Sequence, residues 1–186
     1  MDVLEALDAA ESEFGDRLAL VRDPATWTSA TPCPGWDVHY LVAHVVGGNR
    51  FAASVLGGAS SSDAIEEVMS TPQLGDDPMG AWTTTAMAQR AAFEATILSH
   101  DRIDHPLGAM TTRDFLGFRV FDITIHAWDL ARSIRVDETI GPDLISHLLT
   151  MVQNWTPGMG FEITPVGSTR VDDPPQARLL DLAGRH

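Results

Sequence analysis

The chain has 186 residues, of which 44% are hydrophobic and 20% are charged, a balance that suits one globular domain of ordinary core size. Twelve basic residues, all of them arginine, stand against 26 acidic ones and give a formal net charge of −14, which argues against nucleic acid as a partner. Because no apolar run is long enough to cross a bilayer and the N-terminus is acidic, we expect a soluble, cytoplasmic protein without a signal peptide or a membrane partner.

Long segments with apolar residues three and four positions apart predict an all-α fold. The predicted helices are, in chain order, about 2–22, 38–56 with Asp37 as N-cap, 79–99, 112–134, 142–155 and 176–183. Ser, Pro and Gly are frequent between about 57 and 78, which predicts a long crossover loop, and a C-terminal tail of about 157–186 includes a short extended piece at 161–164. We therefore expect a single domain over 1–186, a four-helix bundle with short terminal additions.

Two histidines on the predicted second helix point in different directions. At 100° per residue, His44 projects with Leu41, Phe51 and Val55, so it is predicted to be buried in the apolar core face. His39 projects nearly opposite. The two histidines therefore receive different interpretations, and His44 is the candidate for a buried functional role.

The predicted fourth helix carries a polar stripe inside an apolar segment. Arg119, Asp122, His126 and Asp129 fall within roughly 80° of arc, and burying four ionisable groups is costly unless they pair or bind a cation. Asp122 and His126 are four residues apart and can reach a single ion, with His44 from a facing helix as a third ligand. Two imidazoles and one carboxylate leave open positions on a divalent metal, as catalytic sites do. The alternative is an ordinary intrahelical hydrogen bond between Asp122 and His126.

Two motifs, in this order and at this separation, resemble a known family. Residues 31–38 (TPCPGWDV) are followed by 41–44 (LVAH), and 122–131 (DITIHAWDLA) come much later. Together they resemble the DinB-like superfamily and are most similar to its mycothiol-dependent maleylpyruvate isomerase N-terminal branch. The resemblance covers nearly the whole chain, from the first helix to residues 178–185.

The resemblance implies a DinB-like four-helix bundle that holds a divalent metal through His44, Asp122 and His126, the three residues that the spacing also selects. Zinc is the favoured metal, with nickel and manganese as alternatives. The isomerase branch has Glu in place of Asp122 and a second domain for which 186 residues leave no room, so maleylpyruvate is a poor candidate substrate.

The function implied is a transferase or isomerase that depends on mycothiol or another low-molecular-weight thiol and acts on a small electrophile, with the metal lowering the pKa of the thiol. The alternative is a non-catalytic helical binding or regulatory module in which the metal is structural. Either form is compatible with a homodimer.

Several neighbours of the predicted ligands have two interpretations each. Arg119 can bind an anionic substrate or the thiol cofactor, or it can simply neutralise Asp122. Asp129 can orient the His126 ring, although a salt bridge to Arg132 is the favoured pairing.

Other residues near the motifs are assigned mainly to structure. Cys33 is interpreted as a buried, inert loop thiol, because the sequence shows no basic neighbour that would activate it, and a redox or ligand role is the alternative. Trp36 and Trp128 are assigned to core packing, with a pocket wall as the alternative. Tyr40 either faces the metal cavity as a proton donor or packs at the helix end. Four histidines without ligand spacing are predicted to be surface or capping residues: His100, His105, His147 and His186.

Overall fold

The computed structural model describes residues 1–99, 102–106, 108–153 and 166–185, and helices dominate them, which confirms the predicted all-α fold. The elements are, in chain order, α1 (Val3–Leu18), a short 3-10 helix (Pro24–Thr28), α2 (Val38–Leu56), α3 (Ser61–Ser70), α4 (Pro78–Thr96), β1 (Arg102–Ile103), β2 (Met110–Thr111), α5 (Thr112–Ile134), α6 (Pro142–Val152) and α7 (Pro175–Leu182). The two strands pair antiparallel, with Arg102 opposite Thr111 and Ile103 opposite Met110.

Side-chain caps place the beginnings of the long helices. Asp2 and Glu5 form a reciprocal capping box at α1. The Asp37 carboxylate accepts the backbone N–H of Tyr40 and begins α2, as the sequence predicts, and the Thr111 hydroxyl accepts that of Asp114 at α5. Because each cap satisfies donors that the first turn leaves unpaired, these sequence signals fix where the helices begin.

The predicted loop over about 57–78 is wrong in part, because it contains the ten-residue helix α3. The Ser60 hydroxyl accepts the backbone N–H of Asp63 and caps the helix, and Ala64 is buried where α3 packs on α2. The serines that suggested a loop therefore serve as a helix cap. The end of the predicted fifth helix and the extended piece at 161–164 lie outside the described residues.

The core of the bundle is built around α5. Every residue from Phe115 to Ala131 is buried except Asp122, which is half-buried. α5 packs against α1 and α2, and α4 packs against the same two helices, so these four form the bundle. A helix that is enclosed on all sides can carry ionisable groups only where they find partners, and the polar residues of α5 therefore mark the site. In the described part of the chain, no helix is long and apolar enough to span a membrane.

Candidate metal centre

The three predicted metal ligands lie together where α2 faces α5. The Asp122 Oδ1 atom is 3.4 Å from Nε2 of His44 and 3.4 Å from Nε2 of His126. All three donor atoms lie within 4.8 Å of one another. Neighbouring donors around a tetrahedral zinc ion, with bonds of about 2.0–2.1 Å, are roughly 3.4 Å apart. The residues present therefore fit a divalent metal with little movement.

The exposure of His44 differs from the sequence prediction. Its side chain is 39% exposed, against 10% for His126, so the prediction that His44 is buried is wrong. The reason is that the face of α2 with His44, Gly48 and Phe51 lines an open pocket and not the closed core. One ligand of the candidate centre thus stands at the edge of a pocket that a small molecule can enter. His39 is exposed on another face of α2, as predicted.

Asp122 and His126 form a charged pair despite their burial. Burial by itself would raise the pKa of Asp122, but the charges of His126 and His44, together with hydrogen bonds from both rings, hold it well below its usual range. Burial would likewise lower the pKa of His126, but the Asp122 charge and hydrogen bonds with Asp122, Asp129 and Cys33 raise it well above its usual range. A metal ion at this site must therefore displace a proton from His126, and its binding strengthens as pH rises.

The other ring nitrogen of His126 faces a buried carboxylate. The His126 Nδ1 atom lies 3.0 Å from Asp129 Oδ2, and Arg185 donates to the same carboxylate from Nη2 at 2.7 Å and from Nε at 3.1 Å. When a metal displaces one proton from the charged ring, the proton that remains is held on Nδ1, and the lone pair of Nε2 then points toward Asp122 and His44. This is the arrangement by which a carboxylate fixes the orientation of a metal-binding histidine.

The favoured pairing of Asp129 with Arg132 is wrong. Asp129 is fully buried, whereas Arg132 points outward, pairs with Glu138 at 3.3 Å and lies 4.9 Å above the Trp128 ring. The interpretation of Asp129 as the residue that orients His126 is the one that the contacts support. Sequence spacing alone could not show this, because the second partner of Asp129 comes from the C-terminal segment.

Cys33 is buried, as predicted, but it has a basic neighbour. The Cys33 thiol donates to Asp129 Oδ2 at 3.3 Å and accepts from Arg185 Nη2 at 3.3 Å. Cys33, His126 and Asp129 form a second group with ligand spacing among the described residues. Because the Arg185 guanidinium already contacts two of its members, a cation is disfavoured there, and the geometry favours the His44, Asp122 and His126 set.

Replacing Asp129 with Asn is expected to weaken divalent metal binding about 10- to 100-fold. The reason is that the amide lacks the negative charge with which the carboxylate holds the proton on Nδ1 of His126. Competition against a chromophoric chelator measures the affinity. The matched control is Arg132→Gln, which removes the partner expected from the sequence and should leave the affinity unchanged. Equal affinity of Asp129→Asn and the unmodified protein would contradict the orienting role.

Arg119 lies beneath Asp122 with its donors engaged. Its Nη1 atom donates to Asp122 Oδ2 at 2.7 Å, Nε donates to Gln89 at 3.0 Å, and Nη2 donates to the side chain of Asn49 at 2.7 Å and to the backbone oxygen of Val45 at 3.2 Å. These bonds favour the interpretation that Arg119 neutralises and orients Asp122. Its assignment to cofactor binding remains a prediction.

A glycine makes room for the Arg119 guanidinium. A Cβ atom added at Gly48 would lie 2.3 Å from Nη1 of Arg119, far inside contact distance. Any side chain at this position of α2 must therefore displace the guanidinium. Gly48 has no role in the sequence interpretation, and only the structure explains why the helix carries a glycine here.

The network continues from Arg119 through Gln89 to Glu11 on α1. Gln89 donates to Glu11 Oε1 at 2.9 Å. Burial raises the pKa of Glu11 to about 7, with a further contribution from Asp8, while the hydrogen bond from Gln89 and the charges of Arg119 and Arg90 act in the opposite direction. Glu11 therefore takes up about half a proton when the chain folds at pH 7.

We expect Glu11→Gln to stabilise the protein by about 1–3 kcal/mol at pH 8, since one pKa unit corresponds to about 1.4 kcal/mol. A carboxyl whose pKa rises on folding destabilises the folded state above that pKa, so the gain should shrink as pH falls from 7 towards 4.5. Urea denaturation at several pH values measures it. A gain that is the same at all pH values would show that the burial of Glu11 is not its cause.

Aromatic side chains cover the outer side of the ligand cluster. The Trp36 ring is half-buried, with centroids 4.8 Å from His44, 5.6 Å from His126 and 4.7 Å from Tyr40. Trp36 therefore acts as a wall of the site, the alternative in the sequence interpretation, whereas Trp128 is packed in the core as predicted. Tyr40 is 56% exposed and lines the pocket.

A pocket of about 610 Å³ adjoins the cluster, and His44, Asp122 and Arg119 contribute to its wall. His105, predicted to be a surface or capping residue, is half-buried and lines the pocket, with ring centroids 5.5 Å from Phe51 and 5.2 Å from Phe115. His147 is also half-buried, and His100 and His186 lie outside the described residues.

Comparisons with known proteins agree with this fold. A family model described as the mycothiol maleylpyruvate isomerase N-terminal domain matches residues 7–131. Uncharacterised proteins from two Mycobacterium tuberculosis strains are each 31% identical over 148 residues, which are 77% of this chain and 74% of theirs. The crystal structure of a mycothiol-dependent maleylpyruvate isomerase is similar in fold, with a TM-score of 0.61 and 21% identity over 80% of this chain and 68% of that one. A histidine-to-alanine mutant of that isomerase gives a TM-score of 0.60 at 20% identity over the same shares.

Proposed function

Because the chain belongs to the mycothiol maleylpyruvate isomerase N-terminal domain family, we propose that it binds a divalent metal through His44, Asp122 and His126 and activates a small thiol for reaction with an electrophile. The observation that carries this proposal is the 3.4 Å spacing from Asp122 Oδ1 to both imidazoles at the edge of a pocket. We propose zinc as the metal, with nickel or manganese as alternatives, and mycothiol as the thiol, since the similar isomerase is named for its dependence on it.

The open side of the cluster favours catalysis over a structural metal. Within the described chain, the group around Asp122 offers three ligands, whereas structural zinc sites have four protein ligands and are closed. His44 is 39% exposed and lines the pocket, so a metal held by these residues would be accessible to a small molecule. A metal that only stabilises the bundle does not need this access, and we therefore rank the module with a structural metal second.

A divalent metal at this site lowers the pKa of a thiol that binds to it, so that a larger fraction is thiolate at neutral pH. The protein residues prepare the site for this. Asp129 keeps the proton on Nδ1 of His126 and so leaves Nε2 free for the metal. Arg119 orients the Asp122 carboxylate, and Trp36 covers both imidazoles and excludes water from one side.

The proposal is tested by the pH dependence of thiol reactivity. Mycothiol and 1-chloro-2,4-dinitrobenzene, a general electrophile, are mixed with zinc-loaded protein, and the rate of thioether formation is measured between pH 5 and 9. We expect the half-maximal rate at a lower pH than for the free thiol, and loss of the acceleration in His126→Ala but not in His39→Ala. If the metal-loaded protein changes neither the pH profile nor the rate, the catalytic proposal fails and the structural-metal module replaces it.

A further inference from the structure

The pocket beside the candidate metal centre has the size of a ligand site. Its volume of about 610 Å³ lies within the range of roughly 300–1,000 Å³ that small-molecule sites occupy. Its walls come from α2, α3, α5 and the segment around His105. His44 and Asp122 are among the lining residues, so an occupant of the pocket would reach two of the three candidate ligands.

Most of the remaining wall is apolar, although Tyr40, Thr71, Gln73 and His105 also line the pocket. Six apolar side chains line this part of the pocket: Phe51, Ile65, Val68, Met69, Phe115 and Phe118. Ile65 is 41% exposed and Met69 is 80% exposed at the mouth. Large apolar side chains that face a concave opening gain stability when an apolar group covers them.

The charges of the pocket disfavour a substrate with two negative groups. Arg119 is the one arginine among the described lining residues, and its guanidinium already donates to Asp122, Gln89 and Asn49. His105 does not supply a cation at neutral pH, because burial and the charge of Arg119 lower its pKa. An anionic group held among the apolar side chains would lose its hydration without gaining a partner.

We propose that the electrophile has one polar, uncharged reactive end and an apolar chain or ring, and that the chain lies against α3 with the reactive end at the His44–Asp122 side. This inference rests on the proposed function, because the metal centre determines which end of the substrate reacts. The substrate class that it names does not include dicarboxylates. The apolar body supplies the binding energy, because each methylene group that leaves water contributes to affinity.

Calorimetric titration with 2-pentanone, 2-heptanone and 2-nonanone tests the inference directly, with maleate as the dianionic probe. We expect the affinity to rise about fourfold for each methylene group that is buried. The double variant Ile65→Glu/Met69→Glu should weaken the binding of 2-nonanone at least about tenfold, since two carboxylates replace the apolar mouth. The matched control is Met87→Glu/Leu98→Glu, which changes two exposed residues outside the pocket, adds the same charge and should bind 2-nonanone as the unmodified protein does.

Three results would overturn the inference. The first is an affinity for the ketones that does not depend on their chain length. The second is competition by maleate with 2-nonanone at equal concentration. The third is a dimeric protein that becomes monomeric only in the Ile65→Glu/Met69→Glu variant. The last would assign the apolar mouth to a contact between subunits. Metal content is measured on the same samples. If the protein is loaded with metal but its affinity does not depend on the chain length of the ketone, only the substrate class is contradicted. If the protein contains no metal and cannot be loaded but still binds the ketones, only the proposed function is contradicted.

Discussion

Replacing Arg119 with Met is expected to lower the free energy of unfolding of the metal-free protein by about 3–5 kcal/mol, the cost of breaking a buried ion pair from one side. The substitution keeps much of the side-chain volume but removes the donors to Asp122, Gln89 and Asn49. Each of these acceptors then loses a charged hydrogen-bond donor, and two of them, Gln89 and Asn49, are fully buried. Urea denaturation followed by circular dichroism measures the loss.

The matched control for this prediction is Arg90→Met. Arg90 pairs with Asp8 and Glu94 at the surface of α4, where such pairs contribute about 0–1 kcal/mol. If both variants lose the same small amount, the network beneath Asp122 is not the source of stability that we infer. If only Arg119→Met loses a large part of its free energy of unfolding, the result supports a structural role for this arginine over a role in ligand binding alone.

Removing a predicted ligand should weaken metal binding far more than removing a neighbour. We expect His126→Ala and Asp122→Asn each to reduce zinc affinity by more than about 100-fold, beyond the effect of losing a residue that only orients a ligand. His126→Ala removes the Nε2 donor that is 3.4 Å from Asp122 Oδ1 while leaving the Asp129 and Arg185 pair in place. Competition with a chromophoric chelator measures both affinities.

His39→Ala is the control for these ligand variants, because His39 lies on the same helix as His44 but contacts Trp27 and not the cluster. Its zinc affinity should equal that of the unmodified protein. Unchanged affinity in His126→Ala would show that the ion binds elsewhere. The group of Cys33, His126 and Asp129 shares His126, so Cys33→Ala separates the two sites and should leave the affinity unchanged.

The sequence predicts the helical part of the candidate site well. A spacing of four residues between Asp122 and His126 is local, and the helix that carries them is long and strongly periodic, so its bounds of 112–134 agree with α5. Helical spacing on α2 and the resemblance also select His44 as the third candidate ligand. These predictions depend on regular helices, in which the position of a residue along the chain determines the helix face on which it lies.

Sequence spacing could not predict the contacts between distant segments of the chain. Arg185 reaches Cys33 and Asp129 from beyond α7, and no local pattern connects these positions. The exposure of His44 depends on a pocket that α3 helps to form, and the sequence predicts a loop where α3 lies. A helical projection distinguishes faces but not whether a face meets a packed neighbour or an opening.

The most direct test of the candidate metal centre is elemental analysis of protein purified without chelator or His-tag. We predict about one zinc, nickel or manganese ion per chain, retained after gel filtration and lost from His126→Ala, because the donor atoms of His44, Asp122 and His126 already have ligand spacing. A protein that folds normally, contains no metal and cannot be loaded with any of these three ions would contradict the assignment of these residues as metal ligands.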